Sequence, residues 1–103
     1  MQDIPLVCTL TEADFRDREA AWLKLKPFVR ASAIVAGGLT FSLARVTGLY
    51  DSVRELVRLE AECCPWMTFA MDESPEGIRL SVTSTSAEGE RAVREAFAPL
   101  VPG

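Results

Sequence analysis

The chain contains no histidine among its 103 residues and only three cysteines, Cys8, Cys63 and Cys64. Without histidine it cannot form a Ser-His-Asp triad, so any thiol or metal chemistry must use these cysteines. An odd number of cysteines, two of them adjacent, does not fit a disulfide scaffold. A disulfide between neighbouring cysteines closes a strained ring, so we expect reduced thiols.

Long apolar runs and clusters of basic residues are also missing. No run approaches the roughly 18 residues of a membrane span, and the first residues lack the basic and apolar regions of a signal peptide. The net charge is −4, with lysine and arginine scattered along the chain, which argues against a nucleic-acid or anionic-membrane partner. We therefore expect a cytoplasmic protein.

The composition is that of a single globular domain covering residues 1–103. The apolar fraction is 49% and the charged fraction 25%, which is ordinary for a folded chain of this length. The predicted strands cover residues 4–9, 31–36, 39–46, 66–72 and 78–84. The predicted helices cover residues 11–26 and 49–64 and a C-terminal segment capped by Thr85 and Glu88. Gly37-Gly38 and residues 73–77 are predicted turns.

This order predicts an α+β fold. Its first six elements follow the βαββαβ order of a ferredoxin-like split β-α-β sandwich, with an extra strand and a C-terminal helix. The helices should cover one face of an antiparallel sheet. In that topology the strand starting at Trp66 pairs beside the first strand, which would bring Cys8 to the same rim as Cys63 and Cys64.

The second predicted helix places a carboxylate beside the two adjacent thiols. Its apolar stripe consists of Leu49, Val53, Leu56 and Val57. At 100° per residue, Glu60 falls in the middle of this stripe and Cys63 and Cys64 fall on either side. Glu60 can therefore reach both thiols, and it needs a polar partner there. Glu62 should point to solvent.

Two or three thiolates in one place are typical of a site for a soft ion. Thiolates suit Cu(I), Zn and thiophilic heavy ions. Zinc fits less well, because structural zinc sites prefer four Cys or His ligands and this chain has three cysteines and no histidine. Cu(I), Hg(II) and As(III) accept fewer ligands. We predict Cys63, Cys64 and Cys8 as ligands, with Glu60 as a fourth ligand or proton acceptor and with no organic cofactor. The negative end of a helix raises thiol pKa values, which argues against a reactive nucleophile.

Three alternatives remain open at this point. The cysteines can be small core residues, as Trp22, Trp66, Met67, Phe69 and Met71 are expected to be, and Cys8 is a ligand only if the topology holds. A thiol-dependent enzyme, for redox chemistry or carbon–metal bond cleavage with Glu60 as proton donor, would need an accessible cleft and a lowered thiol pKa. A non-catalytic module, such as a homodimer, would use the far face of the sheet. That predicted face carries Val7, Thr40, Ser42, Thr68, Ala70, Ser81 and Thr83.

Three segments of the chain resemble a group of small, largely uncharacterised bacterial proteins. These segments are Val7-Cys8-Thr9-Leu10-Thr11, the hairpin Gly37-Gly38-Leu39, and Leu59-Glu60-Ala61-Glu62-Cys63-Cys64-Pro65-Trp66-Met67-Thr68-Phe69. The mark of the group is a glutamate closely followed by Cys-Cys-Pro-aromatic-x-x-Phe after a helix, and Trp66 stands where phenylalanine is usual. Such proteins occur among heavy-metal and metalloid resistance functions. The resemblance implies a thiol-based role and supplies no mechanism.

The sequence therefore predicts a small binding protein rather than an enzyme. We expect it to hold one thiophilic ion through its cysteines for sequestration, delivery or sensing.

Overall fold

The computed structural model describes residues 12–102, with side chains described from Arg16 onward. Cys8, the predicted strand 4–9, the cap predicted at Thr11 and the side chain of Phe15 lie outside the described residues. The helices are α1 (Glu12–Leu23), α2 (Leu49–Cys63) and α3 (Ala87–Phe97). The strands are β1 (Val29–Val35), β2 (Gly38–Leu43), β3 (Thr68–Ser74) and β4 (Gly77–Thr83). Short 3-10 helices follow α1 and α3, at Lys26–Phe28 and Ala98–Leu100.

Two tight hairpins build the sheet. In the first, Val35 pairs with Gly38, so the turn is Ala36-Gly37, one residue earlier than predicted. Of these two glycines, Gly37 alone has a left-handed backbone, with φ +86°, a conformation that favours glycine. Gly38 is already in β2, where a Cβ atom would lie 2.0 Å from the carbonyl oxygen of Val82. Position 38 therefore requires glycine because the neighbouring strand lies so close, and not because of the turn.

The strand order is β1-β2-β4-β3, with every pair antiparallel. The ferredoxin-like order would place residues 4–9 between β2 and β3, but β4 occupies that position. β4 pairs with β2 on one side and β3 on the other, and in this central position Ile78, Leu80 and Val82 are at most 2% exposed. The α+β class with an antiparallel sheet and three helices is confirmed, and the predicted strand order differs from the observed one.

The core lies between the helices and one face of the sheet. Leu39, Phe41 and Leu43 of β2 join the buried side chains of β4, and all three helices contribute to the same cluster. The opposite face carries the small and polar residues predicted for it, which are half-buried or exposed. They are Thr40, Ser42, Thr68, Ala70, Ser81 and Thr83.

Local sequence signals determine where α3 begins and where α2 ends. Ser86, not Thr85, caps α3, because its hydroxyl accepts a hydrogen bond from the Gly89 N–H at 2.9 Å. Helix α2 ends at Cys63, one residue earlier than predicted, and Cys64 separates it from the proline that was predicted to stop it. Within the described part of the chain, no helix is long and apolar enough to cross a membrane.

Candidate functional site

The end of α2 places the sulfurs of Cys63 and Cys64 side by side. Cys63 is the last helical residue, and the Cys64 N–H donates to the Glu60 carbonyl oxygen at 2.8 Å as the chain leaves the helix. The two Sγ atoms lie 3.4 Å apart, which is longer than the roughly 2.05 Å of a disulfide bond, so they are not bonded to each other. Both residues are buried, at 5% and 4% exposure.

The carboxylate of Glu60 faces both thiols. Its Oε2 atom lies 3.2 Å from the Cys63 sulfur and 3.6 Å from the Cys64 sulfur, and either thiol can donate to it. The prediction that Glu60 reaches both thiols from one helical turn away is confirmed. Glu60 is itself buried, and one oxygen and the two sulfurs lie within 4.8 Å of one another. Three candidate metal-ligand atoms therefore meet in one buried place.

Two residues of α1 hold this carboxylate, and neither of them is predicted from the sequence as a site residue. The indole Nε1 of Trp22 donates to Glu60 Oε1 at 2.7 Å, and Arg18 Nη1 lies 3.6 Å from Glu60 Oε2. The same guanidinium nitrogen lies 3.9 Å from the Cys63 sulfur. The only available signal was spacing, because residues four apart on α1 share a face. Together they give Glu60 the polar partners that a buried carboxylate requires.

Trp22 also packs as the core residue that it was predicted to be. Its ring stacks on Phe69 at a centroid distance of 6.2 Å and meets the edge of Phe97 at 5.1 Å. The packing fixes the indole, and the indole N–H then fixes Oε1 of Glu60. This arrangement leaves Oε2 directed at the two thiols and Arg18.

The segment after the cysteines is mainly a packing segment. Met67 is buried, its N–H donates to the Cys64 carbonyl oxygen at 3.0 Å, and Phe69 and Met71 pack against the core, as predicted. Trp66 is half-buried, and its buried indole N–H has no hydrogen-bond partner within the described residues.

Glu62 lies on the opposite, exposed side of α2, as predicted. It pairs with Arg58 at 2.9 Å, and Arg58 also bonds Glu55 at 2.6 Å. The hydrogen bond from this guanidinium lowers the pKa of the Glu55 carboxyl. These contacts are typical of a solvated helix surface, and Glu62 is therefore a matched control for Glu60.

The surroundings of the thiols favour the binding of an ion over a reaction with a substrate in an accessible cleft. They sit at the negative end of a helix, beside one carboxylate and one guanidinium, and are almost fully buried. The cavity of about 400 Å³ on the open sheet face is lined by other residues, including Arg30, Asp72 and Arg79. The third predicted ligand, Cys8, lies outside the described residues, so the three-thiol site stays a prediction. The strand order from which that prediction was made differs from the observed order.

The group formed by Glu60, Cys63 and Cys64 offers the donor atoms of a metal site. Comparison with protein-family models, curated proteins and solved structures finds no match to this chain.

Proposed function

We propose that this protein binds a thiophilic metal or metalloid ion through Cys63 and Cys64, with Glu60 beside them. The observation that carries the proposal is the convergence of two sulfurs and one carboxylate oxygen within 4.8 Å in a buried place. Sulfur donors favour soft ions over Mg²⁺ or Ca²⁺. Sequestration, delivery and sensing are the roles that such a site supports.

The buried carboxylate supports a binding role over simple packing of the cysteines. Cysteine packs well as a small apolar residue and needs no carboxylate beside it. Burying a carboxylate is costly unless it is paired and hydrogen-bonded, and here Arg18 and Trp22 are both used to hold it. The paired carboxylate stands where it can act as a ligand or accept a thiol proton.

The position of the thiols supports ion binding over nucleophilic attack. The C-terminal end of a helix disfavours a thiolate, and burial of both residues limits access. A bound cation overcomes the first effect, since its own charge drives deprotonation of the thiol. Reduced thiols also suit a reducing compartment, which is why we place this protein in the cytoplasm.

The test is ion loading of the reduced protein, measured by native mass spectrometry. Hg(II), As(III), Cu(I) and Zn(II) are offered one at a time, with a competing chelator, to the wild type and to the Cys63→Ser/Cys64→Ser double variant. We expect one ion per wild-type chain and none per double variant. The Glu62→Gln variant should load like the wild type. Equal loading of the wild type and the double variant would contradict the proposal.

A second candidate is a thiol-dependent enzyme that cleaves carbon–metal bonds. The observation that favours it is the single carboxylate oxygen within 3.6 Å of both sulfurs, since that carboxylate can take a proton from a thiol and pass it to the departing carbon while the sulfur bonds the metal. Phenylmercury is the probe: catalysis releases benzene repeatedly, whereas simple binding leaves the carbon–mercury bond intact. Benzene release in excess of the protein concentration would favour the enzyme.

A further inference from the structure

The spacing of the two sulfurs carries information on which ion the site accepts. Metal–sulfur bonds are about 2.3 Å long, and arsenic–sulfur bonds are of similar length. Two such bonds ending on sulfurs 3.4 Å apart enclose an angle of roughly 95° at the ion. A tetrahedral ion would require a separation of about 3.8 Å, and a linear two-coordinate ion about 4.6 Å.

A right-angled pair of bonds is the geometry of a trivalent metalloid. Its lone pair occupies one side of the atom, so its three bonds form a pyramid with angles not far above 90°. Linear coordination, which Hg(II) and Cu(I) adopt with two thiolates, would need the sulfurs to move apart by about 1.2 Å from their 3.4 Å spacing. Both cysteine side chains are buried among core residues. Moving the sulfurs apart would require the side chains to rotate, and the close packing around them resists that rotation.

The net charge of the occupied site argues against Cu(I). Glu60 and Arg18 already balance each other, so the ion and its thiolates must be close to neutral together to avoid a buried net charge. Two thiolates around Cu(I) leave one negative charge, whereas a trivalent metalloid that replaces its hydroxides with thiolates leaves none. Charge does not separate the metalloid from divalent ions. For linear Hg(II) the sulfur spacing is unfavourable, and for Zn(II) the chain has three cysteines and no histidine to supply the four ligands that the ion prefers.

We infer that the ligand of this site is a trivalent metalloid in its neutral hydroxide form, of which arsenous acid, As(OH)₃, is the simplest example. This inference rests on the proposed function, because it names the class of ion held by Cys63 and Cys64. The metalloid binds by exchange of its hydroxides for the two cysteine sulfurs.

The exchange balances without any redox partner. Each thiol forms one arsenic–sulfur bond, one arsenic–oxygen bond breaks, and the thiol proton leaves with the hydroxide as water. Arsenic stays trivalent, and two cysteines release two waters and no net proton. If Cys8 is the third ligand, a third water leaves as well. Binding of Zn(II) or Hg(II) to two protonated thiols would instead release two protons.

The experiment compares As(III), supplied as arsenite, with Zn(II), Hg(II) and Cu(I) on reduced wild-type protein, and uses two readouts. Proton release is followed in weakly buffered solution, and intact mass counts the waters lost from the bound arsenic. We expect one As(III) per chain, no proton release, and a mass that corresponds to the loss of two or three waters. As(III) should bind the wild type about 100-fold more tightly than it binds Cys63→Ser or Cys64→Ser, because each single variant loses the second attachment.

The outcomes separate this inference from the proposed function. Tight loading of a linear or tetrahedral ion, with As(III) bound no better by the wild type than by the single-serine variants, would overturn the metalloid assignment and leave soft-ion binding intact. If none of the four ions binds the wild type more tightly than it binds the Cys63→Ser/Cys64→Ser variant, both the metalloid assignment and the proposed function are overturned. The ranking of ions is measured on the wild type, so it does not depend on the folding of any variant, and alanine variants replace serine ones that fail to fold.

Discussion

Replacement of Trp22 by phenylalanine tests the hydrogen bond that orients the buried carboxylate of the site. The indole Nε1 donates to Glu60 Oε1 at 2.7 Å, and Glu60 is 8% exposed. A hydrogen bond to a charged group contributes about 1.5–3 kcal/mol, and the volume lost with the smaller ring adds about 1 kcal/mol. We expect the free energy of unfolding to fall by about 2.5–4 kcal/mol, which corresponds to roughly 10–20 °C in the melting temperature for a domain of this size.

The chain offers a matched control in its second tryptophan. Trp66→Phe makes the same chemical change, but the Trp66 indole N–H has no hydrogen-bond partner in the described part of the chain. Its loss should therefore cost only the ring volume, about 1 kcal/mol or less. Both variants are unfolded with urea and followed by circular dichroism, and the difference between them isolates the hydrogen bond from the packing.

Equal destabilisation of the two variants, to within about 0.5 kcal/mol, would refute the reasoning. The Trp22 hydrogen bond would then contribute nothing measurable, and the orientation of Glu60 toward the thiols would need another cause. Greater destabilisation by Trp66→Phe than by Trp22→Phe would refute it more strongly.

Two further stability predictions follow from the described contacts. Glu60→Gln removes the charge of a buried ion pair and should lower the free energy of unfolding by about 1–3 kcal/mol. The control, Glu62→Gln on the exposed side of the same helix, should leave the urea midpoint unchanged. Similar midpoints for the two variants would contradict the argument that the burial of Glu60 matters. Ser86→Ala removes the N-cap of α3 and should cost about 1 kcal/mol; Thr85→Ala, at the neighbouring position, should cost less in the same urea titration, and the reverse order would place the cap at Thr85.

The elements that sequence reasoning predicted well depend on local signals. Both hairpins and the strongly amphipathic α2 are encoded by neighbouring residues, and their boundaries are within a few residues of the observed ones. The small errors have local causes as well. At Gly37-Gly38, two glycines serve two different needs, and at Thr85-Ser86 either hydroxyl could have capped the helix. Sequence alone does not choose between adjacent candidates of this kind.

The strand order was not predictable in the same way, because it depends on contacts between distant segments. The alternation of Ile78, Leu80 and Val82 identifies a strand with a buried face, but it does not say whether that strand is central or at an edge. The assumed fold placed it as an extension, and the structure places it at the centre.

The candidate site was predictable within one helix and unpredictable beyond it. The periodicity of α2 placed Glu60 beside both cysteines, and the structure confirms the contact. Arg18 and Trp22 reach Glu60 from 42 and 38 positions earlier in the chain. The sequence predicted that the carboxylate needs a polar partner and gave no means of choosing which residue supplies it.

The arrangement around Glu60 is difficult to explain by stability alone. A buried ion pair is often no better for stability than apolar residues of similar size, and an apolar residue at position 60 would continue the stripe of α2 without a partner on α1. Here a buried carboxylate has one oxygen held by Trp22, while the other faces Arg18 and two sulfurs. Packing of the cysteines requires none of these polar contacts. A soft ion at the thiols gives these contacts a role, because they hold a charge-balanced carboxylate beside the two sulfurs, where it can act as a ligand or accept a displaced thiol proton. The polar contacts, rather than the cysteines by themselves, are therefore the strongest structural argument that the end of α2 is a binding site.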